Sequence, residues 1–315
     1  VAPKMSTETD QGYSAAGEVG AVRARRTMSE NIWRGLKSAP PTAWFGMIVI
    51  SIYLFFAMFA GILAPYGEEE VLGAAYLPSW FDADKDFPWD PRFLLGTDQL
   101  GRDMLTRLIY GARNTIGIAV ATTALSFGIG GTLGVLVTIQ RGWFDQFVSR
   151  AVDVLMAIPG LIFALMLLSI FGSTITNLII IIAVLDATRV FRLSRAVAMN
   201  VVVMDYVEAA KLRGEGLFWI MRREIIPNIM PPMVAEFGLR FCFVFLTISA
   251  LSFLGVGIQP PTADWGSMVR ENATLITYGS VTPLFPAGAI ALLTVAVNFV
   301  VDWFLHKTSG LRDEH

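Results

Sequence analysis

The sequence predicts an all-α membrane protein of six transmembrane helices with both termini in the cytoplasm. Three observations carry that reading. Hydrophobic side chains make up 54% of the 315 residues against 16% charged, and with 22 phenylalanines the mean hydropathy reaches +0.58, beyond an ordinary soluble domain. Stretches 43–64, 114–139, 151–171, 174–191, 233–258 and 283–305 meet or approach the roughly 20 apolar residues needed to cross about 30 Å of hydrocarbon. Basic residues then sort by side: six precede the first stretch, two lie in 140–150, seven in 189–232 and two after 305, against five and one in the long loops between. Nine acidic residues offset those five in 65–113.

The elements follow in order. Residues 1–30 are polar, then basic at Arg23, Arg25 and Arg26, with no apolar run long enough for a cleavable signal, and read as a cytoplasmic tail. Residues 31–42, with Trp33, Leu36, Lys37 and the pair Pro40, Pro41, suit an interfacial elbow helix turning into the first span. The first span and an external loop fill 43–113, a five-helix core fills 114–305, and 306–315 form a second cytoplasmic tail. In the second span Gly128, Gly130, Gly131 and Gly134 have the spacing of small residues that let helices approach closely; no strand precedes them, so a nucleotide loop is excluded. Pro159 predicts a kink in the third span.

The stretch DYVEAAKLRGEGLFWIMRREIIP, 205–227, is too charged for lipid yet lies between two spans. It reads as helix, turn, helix: Gly214 and Gly216 break it, because glycine takes the positive φ of a helix C-terminus. Leu217, Ile220, Met221 and Ile225 share one face of the second piece, with Phe218 at its rim and Glu224 interrupting it. Pro227, Pro231 and Pro232 are expected to end that piece before the fifth span. Its apolar face needs a cover, supplied by self-packing, by headgroups or by a groove on another protein.

Charges inside the spans call for partners or an aqueous cavity. Glu236 and Arg240, four apart with the acid first, are expected to form a self-contained pair, and Asp186 with Arg189 another. Asn298 and Asp302 fall on one face near the inner end of the last span. These six are the candidate pathway or gate residues. In LGTDQLGRD, Asp98 is expected to cap a short helix and Asp103 to pair with Arg102 or Arg107. Gln259, Asp264 and Trp265 lie on an outer loop stiffened by Pro260 and Pro261.

Three motifs in chain order resemble one family. EAAKLRG followed by Pro227 is similar to the EAA loop of bacterial ABC importer permeases: Glu208, Ala209, Ala210, Gly214 and Pro227 match in identity and spacing, while Glu224 replaces an Ile and Ile226 a Leu. LGTDQLGRDMLTRLIYGAR (95–113) and ALSFLGVGIQPPTADWGSMV (250–269) look like segments of the C-type permeases of the dipeptide, oligopeptide and nickel group. The resemblance covers almost the whole chain beyond residue 30. It implies the type I importer permease fold in a bacterial inner membrane and a sister permease completing one pathway. It also implies two ATPase subunits docked on Glu208, Ala209, Ala210, Gly214, Leu217, Phe218 and Met221, with the alanines and Gly214 small to permit close approach. A periplasmic binding protein would meet Gln259, Asp264 and Trp265. The implied cargo is peptides or similar small solutes, with nickel, metal chelates or opines as the alternative.

Other functions fit less well. One cysteine, Cys242, and histidines only at 306 and 315 argue against thiolate or histidine metal chemistry, and the net charge of -2 gives no footprint for nucleic acid. None of five lysines sits in a phosphate-cradling G-x-x-x-x-G-K-[ST] loop, so no cofactor is expected on this chain; ATP and magnesium would be used by the partners. A self-sufficient secondary transporter or channel would show inverted repeats, and an intramembrane enzyme would need a base near Ser169 or Ser249. Neither signal is present.

Overall fold

The computed structural model describes residues 39–82 and 88–309. The expected tail at 1–30, the last six residues of the tail expected at 306–315 and most of the helix expected at 31–42 lie outside the described residues, while 306–309 continue the last helix. From Pro40 the chain forms one compact unit. Its helices are α1 (Pro41–Met58), α2 (Ala60–Leu63), α3 (Met104–Gln140), α4 (Trp143–Ala157), α5 (Gly160–Phe171) and α6 (Ile175–Val202). Then come α7 (Asp205–Leu212), α8 (Leu217–Ile220), a π-turn (Met221–Ile225), α9 (Ile226–Phe253), α10 (Trp265–Asn272) and α11 (Leu284–Ser309). Among the described residues the only β pairing is two isolated bridges, Val71 with Arg102 and Thr97 with Asp103.

Helix occupies all six predicted stretches, with different bounds. Pro41 opens α1 from the first turn, where its missing N–H costs nothing. The second span starts ten residues earlier than 114, because Asp103 caps α3 and its carboxylate accepts from the Thr106 N–H at 2.8 Å. Among the described residues four helical segments are long and apolar enough to cross a membrane: Pro41–Met58, Met104–Gln140, Leu217–Phe253 and Leu284–Lys307. The fourth predicted span lies within the 28-residue α6 but carries Asp186 and Arg189, with Arg192 and Arg195 beyond.

The third predicted span is not one helix. At Ile158 the backbone turns extended (φ -88°, ψ 132°), and α4 and α5 meet at 90°. A residue preceding proline is pushed out of the helical region, which is the local cause. Neighbours fix the angle. Val152 and Met156 of α4 pack on Phe191, whereas α5 runs back along α6, its Ala164 and Leu168 sharing the core with Leu178 and Ile182.

Tight contact between α3 and α6 holds the bundle together. A Cβ on Gly130 would collide with the Ala187 carbonyl oxygen, and one on Gly134 would come within 2.8 Å of the Phe191 carbonyl. In lipid, where apolar transfer gains little, such backbone approach is a main source of helix association. Gly128 and Gly131 do not share this role. They line an apolar cavity of about 420 Å³ with Phe127, Met230, Met233 and Phe237.

Pro227, Pro231 and Pro232 do not end the elbow's second piece, contrary to expectation: helix continues from Leu217 through the fifth span to Phe253. The π-turn absorbs Pro227, whose ring would otherwise crowd the carbonyl of Arg223; there Ile226 N–H reaches back five residues to the Met221 carbonyl. Pro231 and Pro232 forgo bonds to the carbonyls of Pro227 and Asn228, and both of those residues are exposed, so solvent or headgroups can satisfy them.

Candidate functional site

The elbow sits at one end of α3. α7 stops at Gly214, whose φ of +80° closes the turn, with Gly214 N–H bonded to the Lys211 carbonyl at 3.0 Å and Glu215 N–H to Ala210 at 3.2 Å. This paired closure satisfies carbonyls that a helix end leaves open. Arg213 lies over Trp219 at 6.0 Å, bracing the turn.

The predicted apolar face is covered by the chain itself. Val207, Ala210, Ile220 and Ile225 are buried with Val135 of α3 and Ala198 and Val202 of α6, and Met221 packs against them half-buried. Ala210 and Met221 therefore face inward and support the elbow from behind, a correction to their expected place on an outward surface. Burial of such side chains is worth roughly 1.5–3 kcal/mol each where water is the alternative. The outer face presents Glu208, Ala209, Leu212, Gly214 and Phe218, with Leu217 half-buried at its edge. Phe218 is 65% exposed and Leu212 83%. A Cβ added to Gly214 would meet nothing within 4 Å, so within this chain the backbone conformation there, and not the space, demands glycine.

Farther along the bundle, α3, α6 and α9 bring four predicted residues together. Arg240 donates to Glu236 at 2.6 Å and approaches Asp186 at 3.7 Å; Arg189 stands 3.9 Å from the same Asp186 oxygen. Ser126 donates to the other oxygen of Asp186 at 2.9 Å. The two expected self-contained pairs are thus one network, because Asp186 and Arg240 face each other across the helices. Asn298 and Asp302 do not join it: the Asn298 amide donates to Thr294 in its own helix at 2.9 Å, and Asp302 is exposed.

At the opposite end of α3 from the elbow, the expected roles of two aspartates are exchanged. Asp103 is the cap, whereas buried Asp98 takes Arg102 at 2.7 Å and Arg107 at 3.5 Å. Glu271 of α10 meets both arginines, at 3.3 and 3.5 Å. Asp264 and Trp265 also turn inward, which removes them from a docking surface. Asp264 caps α10 through the Ser267 N–H at 2.8 Å and accepts from Thr115 at 2.9 Å. Burial pushes its carboxyl above the usual range against those hydrogen bonds. Trp265, 1% exposed, donates to the Leu108 carbonyl at 2.9 Å and packs edge-on against Tyr53 and Phe245. Of the three predicted docking residues Gln259 alone is exposed, with its amide folded back onto Gly255 and Gly257.

Sequence reasoning missed Ser126, Glu271 and the bidentate pair of Arg195 with Asp145, both bonds 2.7 Å, that fixes α4 to α6. No periodicity announces them, since each partner comes from a different helix.

Comparison with known proteins agrees with this architecture. The family described as "Binding-protein-dependent transport system inner membrane component" matches residues 126–307. The di/tripeptide transport system permease protein DppC of Pseudomonas aeruginosa (strain UCBPP-PA14) is 34% identical over 270 residues, covering 85% of each chain. The dipeptide transport system permease protein DppC of Escherichia coli (strain K12) is 35% identical over 270 residues, 85% of this chain and 86% of that one. The glutathione transport system permease protein GsiD of Pectobacterium atrosepticum is 30% identical over 290 residues, 91% and 90% of the two chains. Among solved structures, an inward-facing form of the MetNI methionine ABC transporter superposes with a TM-score of 0.50 at 18% identity, over 63% of this chain and 94% of that one, a likeness of fold. With the family matched over more than half its length and relatives aligned along most of it, this chain belongs to the binding-protein-dependent transport system inner membrane components, a multi-pass permease subunit of type I fold.

Proposed function

We propose that the chain is one permease half of an ATP-driven importer in the bacterial cytoplasmic membrane, receiving peptides or similar small solutes from a periplasmic binding protein. A sister permease completes the pathway, and two ATPase subunits bind ATP with magnesium and supply the work. The observation that carries this reading is mechanical: helix runs from Leu217, in the elbow, through the fifth span to Phe253. A force on exposed Phe218 therefore travels along one continuous rod to Arg240, about 33 Å away at a rise of about 1.5 Å per residue. There it meets Asp186 of the helix that enters the elbow.

The outer face of Glu208, Ala209, Leu212, Gly214 and Phe218 is the docking surface in this account, and Ala210 and Met221 hold it from behind. Closure of the ATPases on nucleotide moves the elbow and shifts the population between inward-open and outward-open arrangements through differential contacts. Support for peptide cargo comes from the relatives, which are named for di- and tripeptides, dipeptides and glutathione.

Affinity purification of the intact assembly tests the reading. The expected result is this chain with two ATPase subunits and a second permease, and peptide uptake in vesicles that requires ATP and binding protein. Uptake by this chain alone, without ATP, would overturn it.

A further inference from the structure

Between α5, α6 and α9 lies a small cavity of about 110 Å³, lined in part by Gly160, Asp186, Arg189, Phe243 and Thr247. Its charged groups are unequally committed. Asp186 has one oxygen on Ser126 and the other facing two arginines. Arg240 is held by Glu236 at 2.6 Å and lies 4.8 Å over the Phe243 ring. Arg189 is different. Its side chain is 51% exposed, and its contact with Asp186, at 3.9 Å, is too long for a hydrogen bond. Gly160 leaves the space beside it open, since an added Cβ would come no nearer than 4.0 Å to the guanidinium. The site lies about 21 Å along α6 from Ile175, at about 1.5 Å per residue, near the elbow end of the predicted stretch 174–191.

A guanidinium carries five donors in a planar fork that fits a carboxylate through two parallel bonds. In a membrane-spanning bundle a cation with donors to spare beside a polar cavity is by default a candidate for a solute path. The cavity has room for a carboxylate and its first neighbouring atoms, not for a whole peptide. We propose that Arg189 takes the terminal carboxylate of the peptide during passage, releasing its loose contact with Asp186. Asp186 keeps Arg240 and Ser126 through the exchange, so no buried charge loses its last partner. This rests on the reading of the cargo as short peptides.

The experiment uses the complete importer in vesicles with its binding protein, with dialanine as cargo. Titrating dialanine into the isolated binding protein comes first; failure to bind dipeptides there would count against the peptide reading and not against the role of Arg189. With binding established, Arg189→Gln is expected to lower uptake per ATP hydrolysed about tenfold, the scale of one charge-assisted bidentate contact, and Arg189→Lys to restore part of it. Gly160→Val, which fills the cavity without altering charge, should give the same direction of change, and serves if Arg189→Gln does not assemble. Uptake per ATP within twofold of the parent for either variant would overturn the proposal, as would a parallel fall in uptake and hydrolysis that Lys does not relieve.

Discussion

Arg240 of α9 lies 3.7 Å from Asp186 of α6, joining the helix that leaves the elbow to the helix that enters it. Arg240 also carries Glu236, so one guanidinium compensates two acids within the span. Removing it takes the partner from Glu236 and leaves Asp186 with the looser Arg189 contact and Ser126 alone. Arg240→Ala should destabilise the chain by about 3 kcal/mol, the usual scale for a broken buried pair. The double change Glu236→Gln with Arg240→Met should recover part of that. Thermal unfolding of the detergent-solubilised assembly reads both.

At Gly214 conformation and size make opposite predictions. The φ of +80° disfavours a side chain by about 1 kcal/mol, less for asparagine, which tolerates the left-handed region. Thermal stability of the chain should therefore rank Gly214→Asn above Gly214→Ala above Gly214→Val, whereas importer activity, which also senses the docked ATPase, should fall with side-chain volume. A stability ranking by volume, with Ala above Asn, would contradict the conformational reading.

Two aspartates five positions apart should respond differently. Asp103→Ala removes a helix cap and should cost about 1 kcal/mol. Asp98→Ala strips a buried acid from Arg102 and Arg107 and should cost about 3 kcal/mol or more, with Glu271 left to compensate both arginines. Chemical or thermal denaturation of the two variants side by side checks the order.

Within the glycine stripe of α3 the effect of alanine should alternate. Gly130→Ala drives a methyl into the Ala187 carbonyl and should loosen α3 from α6, lowering the unfolding midpoint. Gly128→Ala meets nothing within 4 Å and should be neutral or stabilising by up to about 1 kcal/mol through helix propensity. Equal effects at both positions would contradict the assigned packing.

What was legible in the sequence is what local chemistry decides. Six apolar stretches announce helices, and Gly214 announces the end of α7 because the left-handed turn is a demand of the backbone itself. Pro159 announces a break, but its 90° angle depends on where α6 receives Val152 and Leu168. The prolines of α9 mislead because a π-turn and exposed carbonyls absorb what each proline removes. Asp98 and Asp103 both lie near Arg102 and Arg107 in the chain, so their roles are settled only when the fold delivers Glu271. Trp265 reads as an outer-loop docking residue until Leu108, 157 positions away, supplies the carbonyl that lets its indole be buried.

Docking of the ATPases on the outward face of the elbow is tested most directly by thiol labelling of Phe218→Cys. The chain has a single native cysteine, buried Cys242, which can be replaced by alanine to give a clean background. In inside-out vesicles a membrane-impermeant maleimide should modify position 218 once the ATPase subunits are stripped, and rebinding them should protect it, with no labelling from the opposite side. Labelling unchanged by the ATPases, or labelling from the outer face, would contradict the account.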